Sequence, residues 1–136
     1  MRVALISFCP PGNQKTAEIL RRLGESAAQS GNQIDRIDGN VDLSGTRLTA
    51  YDYIAVVAVP VGAFGGKVSP RVAEYLEVSG NVVSKKGCAL VIKSAFGCEG
   101  ACHSLMDAME SQGIKLDYFD VIRDLDHAVL VGTKIG

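Results

Sequence analysis

Residues 3–20, VALISFCPPGNQKTAEIL, pass from an apolar run to a helical pattern through a short loop. The run that ends at Phe8 is apolar at nearly every position, which is typical of a strand covered on both faces of a sheet. After the loop, Ile19, Leu20 and Leu23 recur at steps of three and four residues, as on the apolar side of an amphipathic helix. The stretch therefore predicts a buried strand that passes through a turn into a helix.

The rest of the chain repeats this alternation. Four further apolar segments follow, at residues 33–38, 52–60, 87–94 and 114–122. Helical spacing returns after the segments that end at residues 60 and 94, on Val68, Val72, Tyr75 and Leu76 and then on Leu105, Ala108 and Met109. Strands that alternate with helices predict an α/β fold, a doubly wound five-stranded parallel sheet with helices on both faces.

Two connections and one strand depart from the repeat. The connection after residue 38 is too rich in Gly, Ser and Thr to predict a full helix, and the end of the chain leaves room for only a short one. The segment at residues 114–122 alternates and carries charge, which predicts a strand at the edge of the sheet.

Composition restricts the classes of function. The chain has 136 residues, of which 47% are apolar, and 15 acidic side chains nearly balance 14 basic ones. These values predict a single domain over residues 1–136, with neither nucleic acid nor a membrane surface as a partner. No apolar run approaches the roughly 18 residues of a membrane span, and none has the form of a signal peptide. We therefore expect a cytoplasmic protein whose cysteines stay reduced.

Three loops should meet at the carboxyl edge of the predicted sheet, where open parallel sheets bind ligands. We call residues 8–15 loop 1, residues 60–68 loop 2 and residues 94–101 loop 3. Each loop is rich in small residues, which let the backbone approach a ligand closely. Tight strand-to-helix turns would explain any one loop, whereas all three together favour a ligand site.

The order of elements and these loops resemble the flavodoxin-like family, whose members hold FMN at this edge. GNQKTAEIL is similar to the phosphate loop and first helix of the family, and YDYIAVVAVPV with GKVSPRVAEYL is similar to its third strand, second loop and following helix. KKGCALVIKSAFGCEGACHSLMDAMESQGIKL resembles its fourth strand, third loop and fourth helix, with the short loop of the flavodoxin domains of flavodiiron proteins. The resemblance implies the strand order 2-1-3-4-5 and an FMN site at loops 1 to 3.

Loop 1 departs from the pattern of the family. Family members usually carry Ser/Thr-x-Thr-Gly-x-Thr/Ser, whose hydroxyl and N–H groups wrap the FMN phosphate. Matched on Gly12-Asn13, this chain has Cys9, Pro11 and Gln14 in place of the hydroxyls, and Pro10 and Pro11 also lack an N–H group. The N–H groups of residues 12–15 remain, and the side chains that could bring positive charge are Lys15, Lys67 and Lys93.

The flavin ring would lie between loops 2 and 3, against Phe64, Phe96 or both. A glycine carbonyl from Gly62, Gly65 or Gly66 would accept a hydrogen bond from the ring. The alternative for both phenylalanines is that they anchor their loops in the core. The candidate cofactor residues are Cys9, Pro10, Pro11, Gly12, Asn13 and Gln14 in or beside loop 1, Pro60, Val61, Gly62 and Phe64 in loop 2, and Ser94, Ala95, Phe96, Gly97 and Cys98 in loop 3.

The resemblance implies an FMN-binding protein in electron transfer rather than a stand-alone enzyme, and we assign no catalytic residues. Two alternatives stay open. The fold could have lost its flavin and act as a binding or interaction module for a partner or another anionic small ligand. Thiol or metal chemistry could instead use Cys9, Cys98 and Cys102 with His103, although the Cys98-x₃-Cys102 spacing is not that of a metal knuckle. We expect Cys88 and Cys102 in the interior and His127 at the surface.

Overall fold

A computed structural model describes residues 1–42, 47–62 and 64–136. Within these residues the strands are β1 (Arg2–Phe8), β2 (Gln33–Asp38), β3 (Tyr53–Ala58), β4 (Lys86–Ile92) and β5 (Lys115–Ile122). The α-helices in the same ranges are α1 (Gln14–Gln29), α2 (Arg71–Val78), α3 (Cys98–Glu110) and α4 (Leu125–Gly132), and a short 3₁₀ turn spans Leu48–Ala50. The predicted alternation of strands and helices is therefore confirmed.

The strands form one parallel sheet in the order β2-β1-β3-β4-β5. β3 is buried along its whole length, and β1 and β4 are buried except near their ends, because helices cover both faces of these inner strands. β2 and β5 are the edge strands. Every position of β2 is half-buried or exposed, and β5 alternates between exposed and half-buried positions along most of its length before it ends at the buried Ile122. The predicted strand order and the predicted edge position of the last strand are both confirmed.

Two apolar clusters lie on the two faces of the sheet. One contains Ile6 with Tyr75 of α2 and Leu105 of α3. The other contains Leu5 with Ile19 of α1, and α4 adds Ala128 and Val131 to it. Neighbouring strand residues thus point to opposite clusters, as the pleat of a strand requires. This arrangement leaves the loops after β1, β3 and β4 together at the carboxyl edge.

The two irregular connections also follow the expectation from sequence. Between β2 and β3 the described residues hold the 3₁₀ turn at Leu48–Ala50, and residues 43–46 lie outside the described part of the chain. The last helix, α4, is short and begins where the side chain of Asp124 accepts a hydrogen bond from the His127 N–H group. In the ranges that the structure describes, no helix is both long and apolar enough to cross a membrane.

Candidate functional site

Loop 1 turns at Gly12 and leads into α1. Gly12 has a φ of +85°, a left-handed conformation that glycine adopts without strain. Asn13 is the N-cap, and its side-chain Oδ1 accepts a hydrogen bond from the Thr16 N–H group at 3.1 Å. The start of the helix therefore explains the Gly-Asn pair, because Gly12 forms the turn and Asn13 caps α1. The Asn13 side chain points towards that helix.

The first turn of α1 presents backbone donors to solvent. Gln14 and Lys15 are exposed, and in the described part of the chain their N–H groups have no acceptor. The first N–H groups of a helix lack intrahelical partners and carry the positive end of the helix dipole. This end of α1 therefore suits an anionic group, as the sequence predicts, although Thr16 N–H is already occupied.

Cys9 is placed differently from its neighbours in loop 1. Its thiol belongs to the apolar cluster beneath α1, and burial, with a smaller contribution from the charge of Asp38, raises its pKa to about 12. Its carbonyl oxygen accepts a hydrogen bond from the side-chain amide of Asn40 at 3.0 Å. The thiol therefore does not stand in for a ligand-binding hydroxyl, and Cys9 contributes to loop 1 through its backbone.

Loop 2 folds back on itself. The Val61 N–H group donates to the carbonyl oxygen of Lys67 at 2.7 Å, and Gly65 N–H donates to the carbonyl oxygen of Gly62 at 3.2 Å. Phe64 stands at the tip of this turn with 85% of its surface exposed. Residue 63 lies outside the described residues. The interpretation of Phe64 as a core anchor is therefore wrong, and its ring is free to contact a ligand.

Loop 3 leads into α3 through Gly97, which is the N-cap residue and has a φ of +74°. Phe96 precedes it and is 70% exposed, so this side chain is not a core anchor either. The Cys98 sulfur contacts both the N–H group and the carbonyl oxygen of Ser94 at 3.3 Å, which closes the loop on itself. Loops 2 and 3 thus each present one large apolar side chain at the carboxyl edge.

The backbones of loops 2 and 3 touch at positions where both loops have glycine. A Cβ atom placed on Gly65 would lie 2.1 Å from the carbonyl oxygen of Phe96. A Cβ atom on Gly97 would lie 2.2 Å from the carbonyl carbon and 2.4 Å from the carbonyl oxygen of Gly65. Gly100 also approaches Gly66, whose carbonyl oxygen would be 3.1 Å from a Cβ. No side chain could fit between the two loops at Gly97 without moving one of them.

The glycine carbonyls of loop 2 are already in contact with protein. The Gly62 oxygen accepts the hydrogen bond from Gly65 N–H, and the Gly65 oxygen faces the α-carbon of Gly97. The Gly66 oxygen faces Gly100 in the same way. Sequence alone could not separate these three carbonyls, and the structure shows that each already has a neighbour in loop 2 or loop 3.

Basic side chains are exposed along the same edge. Lys15, Lys67 and Lys93 are exposed, and none forms an ion pair within the ranges that the structure describes. Arg71, at the start of α2, is used differently, because its guanidinium donates to the carbonyl oxygens of Gly39 and Asp42 and so holds the loop after β2.

The cysteines do not form the cluster that thiol or metal chemistry would need. The thiols of Cys9 and Cys102 belong to apolar clusters on opposite faces of the sheet. Cys88 and Cys102 are buried, as expected, and Cys98 is half-buried. Across residues 1–42, 47–62 and 64–136, no group of three or more His, Cys, Asp or Glu residues could hold a metal ion.

The expected surface position of His127 is wrong. The side chain is buried, its Nδ1 atom accepts the Arg123 N–H group at 3.1 Å, and its Nε2 atom lies 3.3 Å from Oδ2 of Asp120. Asp120 also accepts a hydrogen bond from Tyr118 and lines a groove of about 360 Å³ between α3 and β5. In the sequence, Asp124 stands three residues before His127, which is the spacing of an N-cap residue and the first turn of a helix. This spacing was the available signal that His127 lies in a helix.

Most of the candidate cofactor residues are accessible at the carboxyl edge. In loop 1 the exposed residues are Pro10, Pro11, Gly12, Asn13 and Gln14. In loops 2 and 3 the exposed residues are Gly62, Phe64, Ser94, Ala95 and Phe96, and the half-buried ones are Pro60, Val61, Gly97 and Cys98. The exception is Cys9, which is buried.

The chain is similar to solved structures of flavodoxins. A flavodoxin from the domain Archaea superposes with a TM-score of 0.76 at 17% identity, over 99% of this chain and 96% of that one. Flavodoxin 1 of Bacillus cereus gives a TM-score of 0.75 at 15% identity, over 98% and 96%. A Fusobacterium nucleatum flavodoxin variant bound to flavin mononucleotide gives 0.64 at 12% identity, over 85% and 66%.

Sequence comparison adds no closer relative. No protein-family model matches the chain, and no curated protein matches it in sequence. At such low identities the structural similarity concerns the fold, and it agrees with the observed strand order and with the position of the three loops. This chain therefore has the flavodoxin-like fold.

Proposed function

We propose that this chain binds FMN across loops 1, 2 and 3 and serves in electron transfer. The observation that carries the proposal is the exposure of Phe64 and Phe96, at 85% and 70%, on two loops that touch at the carboxyl edge. Leaving a large apolar side chain in water forgoes about 1.5–3 kcal/mol of burial free energy. Two such side chains on adjacent loops indicate a surface that a planar apolar group covers.

The start of α1 supports the phosphate end of the proposed site. The N–H groups of the exposed residues Gln14 and Lys15 lie at the positive end of the helix dipole, where a phosphate is favoured. Charged acceptors gain roughly 1.5–3 kcal/mol from each such hydrogen bond. Lys15 adds a positive charge beside the same turn. These groups replace part of what the missing hydroxyls would contribute.

The residues present therefore fit FMN, but they offer the phosphate fewer hydrogen-bond donors than the family pattern does. Gln14 and Lys15 would hold the phosphate, and Phe64 and Phe96 would pack against the ring. Bound FMN would supply reversible electron transfer, since the chemistry of a flavoprotein resides in the flavin. The protein would orient the ring and restrict its contact with water. The electron-transfer role draws further support from the flavodoxins of the same fold.

Titration of the purified chain with FMN tests the proposal. We expect quenching of flavin fluorescence and a rise in melting temperature that grows with FMN concentration, because a ligand that binds only the folded state stabilises it. Riboflavin, which lacks the phosphate, should bind more weakly. Unchanged flavin fluorescence and melting temperature at millimolar FMN would reject the proposed function and leave the interpretation as a flavin-free binding module.

The substitution Gln14→Pro tests the phosphate end. Proline removes the N–H group of the first helical residue and suits that position of a helix, and the extended backbone of Asn13 tolerates a following proline. We expect FMN affinity to fall roughly 10- to 150-fold, as the loss of one hydrogen bond to a charged acceptor predicts. Isothermal titration calorimetry measures this change.

Two matched measurements control for indirect effects of this substitution. Gln14→Ala keeps the N–H group and loses only the side-chain amide, so its effect on FMN affinity should be much smaller. Riboflavin affinity should be the same in Gln14→Pro and the unsubstituted chain, because riboflavin has no phosphate. Equal losses of FMN and riboflavin affinity would contradict the assignment of this helix end to the phosphate.

A further inference from the structure

The contact between loops 2 and 3 joins the two surfaces that present Phe64 and Phe96. Gly97 faces the carbonyl group of Gly65, and Gly65 faces the carbonyl oxygen of Phe96, so the contact runs from backbone to backbone. Closely packed protein atoms transmit small displacements rather than absorb them. A displacement of loop 2 at Gly65 is therefore felt by the residue next to Gly97, which is Phe96.

We infer that Gly97 is a positioning residue for the ring end of the site, because its missing side chain lets loop 3 rest directly on loop 2. The inference rests on the proposed function for the identity of the ligand, but the contact belongs to the free protein. Gly97 acts through the backbones of loops 2 and 3, which carry Phe64 and Phe96. A methyl group at residue 97 would push Gly65 away and so move loop 2, with Phe64, relative to Phe96.

Other glycines show that this role is specific to position. Gly31, which lies between α1 and β2 and outside loops 1, 2 and 3, has a φ of +98°, comparable to the +74° of Gly97, yet a Cβ on Gly31 would meet nothing within 4 Å. Gly66 also has open space around its Cβ position and no positive φ. A positive φ is thus shared by residues 31 and 97, whereas the close approach between loops is found at residue 97. This difference supplies a matched control.

The test compares Gly97→Ala with Gly31→Ala. Both substitutions place alanine in a left-handed conformation, so backbone strain largely cancels between them. We expect FMN affinity, measured by fluorescence quenching, to fall at least tenfold in Gly97→Ala and less than threefold in Gly31→Ala. The visible absorption spectrum of bound FMN should also shift in Gly97→Ala, since the ring then meets a different arrangement of aromatic side chains. Equal affinities in the two variants would overturn the inference.

Gly100→Ala separates positioning from stability. Its Cβ would lie 3.1 Å from the carbonyl oxygen of Gly66, so the push on loop 2 is milder than at residue 97. Alanine is favoured over glycine inside a helix such as α3. We therefore expect FMN binding to weaken about threefold while the melting temperature of the free protein stays level or rises. Unchanged FMN affinity in this variant would count against the inference, even if Gly97→Ala fails to fold.

Hydrogen exchange in the free protein tests the loop contact without any ligand. The Val61 and Gly65 N–H groups form the hydrogen bonds of loop 2. We expect both to exchange at least tenfold faster in Gly97→Ala than in the unsubstituted chain, although the substitution lies in loop 3. Unchanged exchange would overturn the inference. Failure of the unsubstituted chain to bind FMN would instead reject the proposed function and leave this measurement valid.

Discussion

Individual side chains decide how loop 1 differs from the flavodoxin-like pattern. Sequence shows that Cys9 occupies the place of a hydroxyl, but a sulfur atom at a strand end can face either solvent or the core. In the structure the thiol is buried in the cluster beneath α1, whereas Pro10 and Pro11 are exposed. Asn13 was easier to interpret, because Asn before a helical pattern is a preferred N-cap residue. An anion at loop 1 would therefore rely on the backbone N–H groups and the Lys15 charge rather than on side-chain hydroxyls.

The four cysteines should differ strongly in reactivity. Burial raises the pKa of Cys88 to about 12 and also raises that of Cys102, as it does for Cys9. These thiols are therefore protonated near neutral pH and shielded from reagents. Cys98 is half-buried and reachable. We expect iodoacetamide at pH 8 to modify Cys98 at least tenfold faster than the other three, as peptide mass spectrometry would measure.

Cys98→Ser provides the control for this prediction. The fast phase of alkylation should disappear in this variant, while the slow phase of the three buried cysteines should be unchanged. A fast phase that persists would show that another thiol becomes exposed in solution, and it would contradict the buried position of Cys9, Cys88 or Cys102.

At the scale of elements, apolar pattern and spacing predicted every strand and the main helices. Their ends were less certain, because the predicted segment 52–60 becomes β3 at Tyr53–Ala58 and 87–94 becomes β4 at Lys86–Ile92. Hydrogen bonds to neighbouring strands set those ends, and they depend on residues far away in sequence. Sequence also could not predict which atoms pack against a glycine inside a helix, as Gly24 of α1 and Gly132 of α4 illustrate.

Gly24 and Gly132 should respond in opposite ways to alanine. A Cβ on Gly24, inside α1, would lie 3.3 Å from the flexible and exposed side chain of Arg36, which can move aside. Helix propensity then predicts a stabilisation of about 0.5–1 kcal/mol. A Cβ on Gly132 would lie 2.5 Å from Cβ of Ser26 and 2.9 Å from the carbonyl oxygen of Leu23. Overpacking predicts a destabilisation of about 1–3 kcal/mol.

Urea unfolding followed by circular dichroism measures both changes in the free energy of unfolding. Gly66→Ala is the control, because its Cβ would contact nothing within 4 Å and its effect should be small. A stabilising effect of Gly132→Ala would contradict the observed packing of α4 on α1, and a destabilising effect of Gly24→Ala would contradict the prediction that Arg36 moves aside.

At the scale of the whole molecule, the sheet buries ionisable groups from several elements. Cys9 follows β1, Cys88 lies in β4, and Tyr53 lies in β3, and burial is the largest cause of the raised pKa in all three. Each group stays protonated in the folded state at a pH at which the unfolded chain has begun to lose the proton. Stability therefore falls as pH rises above the unfolded pKa values.

The buried thiol of Cys9 should lower the free energy of unfolding at alkaline pH, by an amount that follows from its raised pKa. Its pKa rises from 9.0 to about 12 on folding. Between these values one thiol costs about 1.4 kcal/mol of unfolding free energy per pH unit, or roughly 2 kcal/mol at pH 10.5. We expect urea unfolding to show this loss between pH 8 and pH 10.5, together with contributions from the other buried groups. In Cys9→Ala the loss should be smaller by roughly 2 kcal/mol. An identical pH dependence in both proteins would contradict a buried, neutral thiol.

The amino-acid sequence by itself determined the order and type of the elements and placed loops 1, 2 and 3 at one edge, whereas the strand order was implied by its resemblance to the flavodoxin-like family. It could do so because continuous apolar runs, helical spacing and turn residues are local properties of the chain, and parallel connections follow a restricted topology. The extent of the domain, residues 1–136, stays a prediction from length and composition.

Only the tertiary structure decided where particular side chains face. It exposed Phe64 and Phe96, buried the Cys9 thiol, paired His127 with Asp120, and brought Gly65 against Gly97. Each of these facts depends on a partner at least 7 residues away in sequence or on the packing of several elements. The physical reason is that burial and contact between loops are properties of the assembled sheet and helices, which no local pattern encodes.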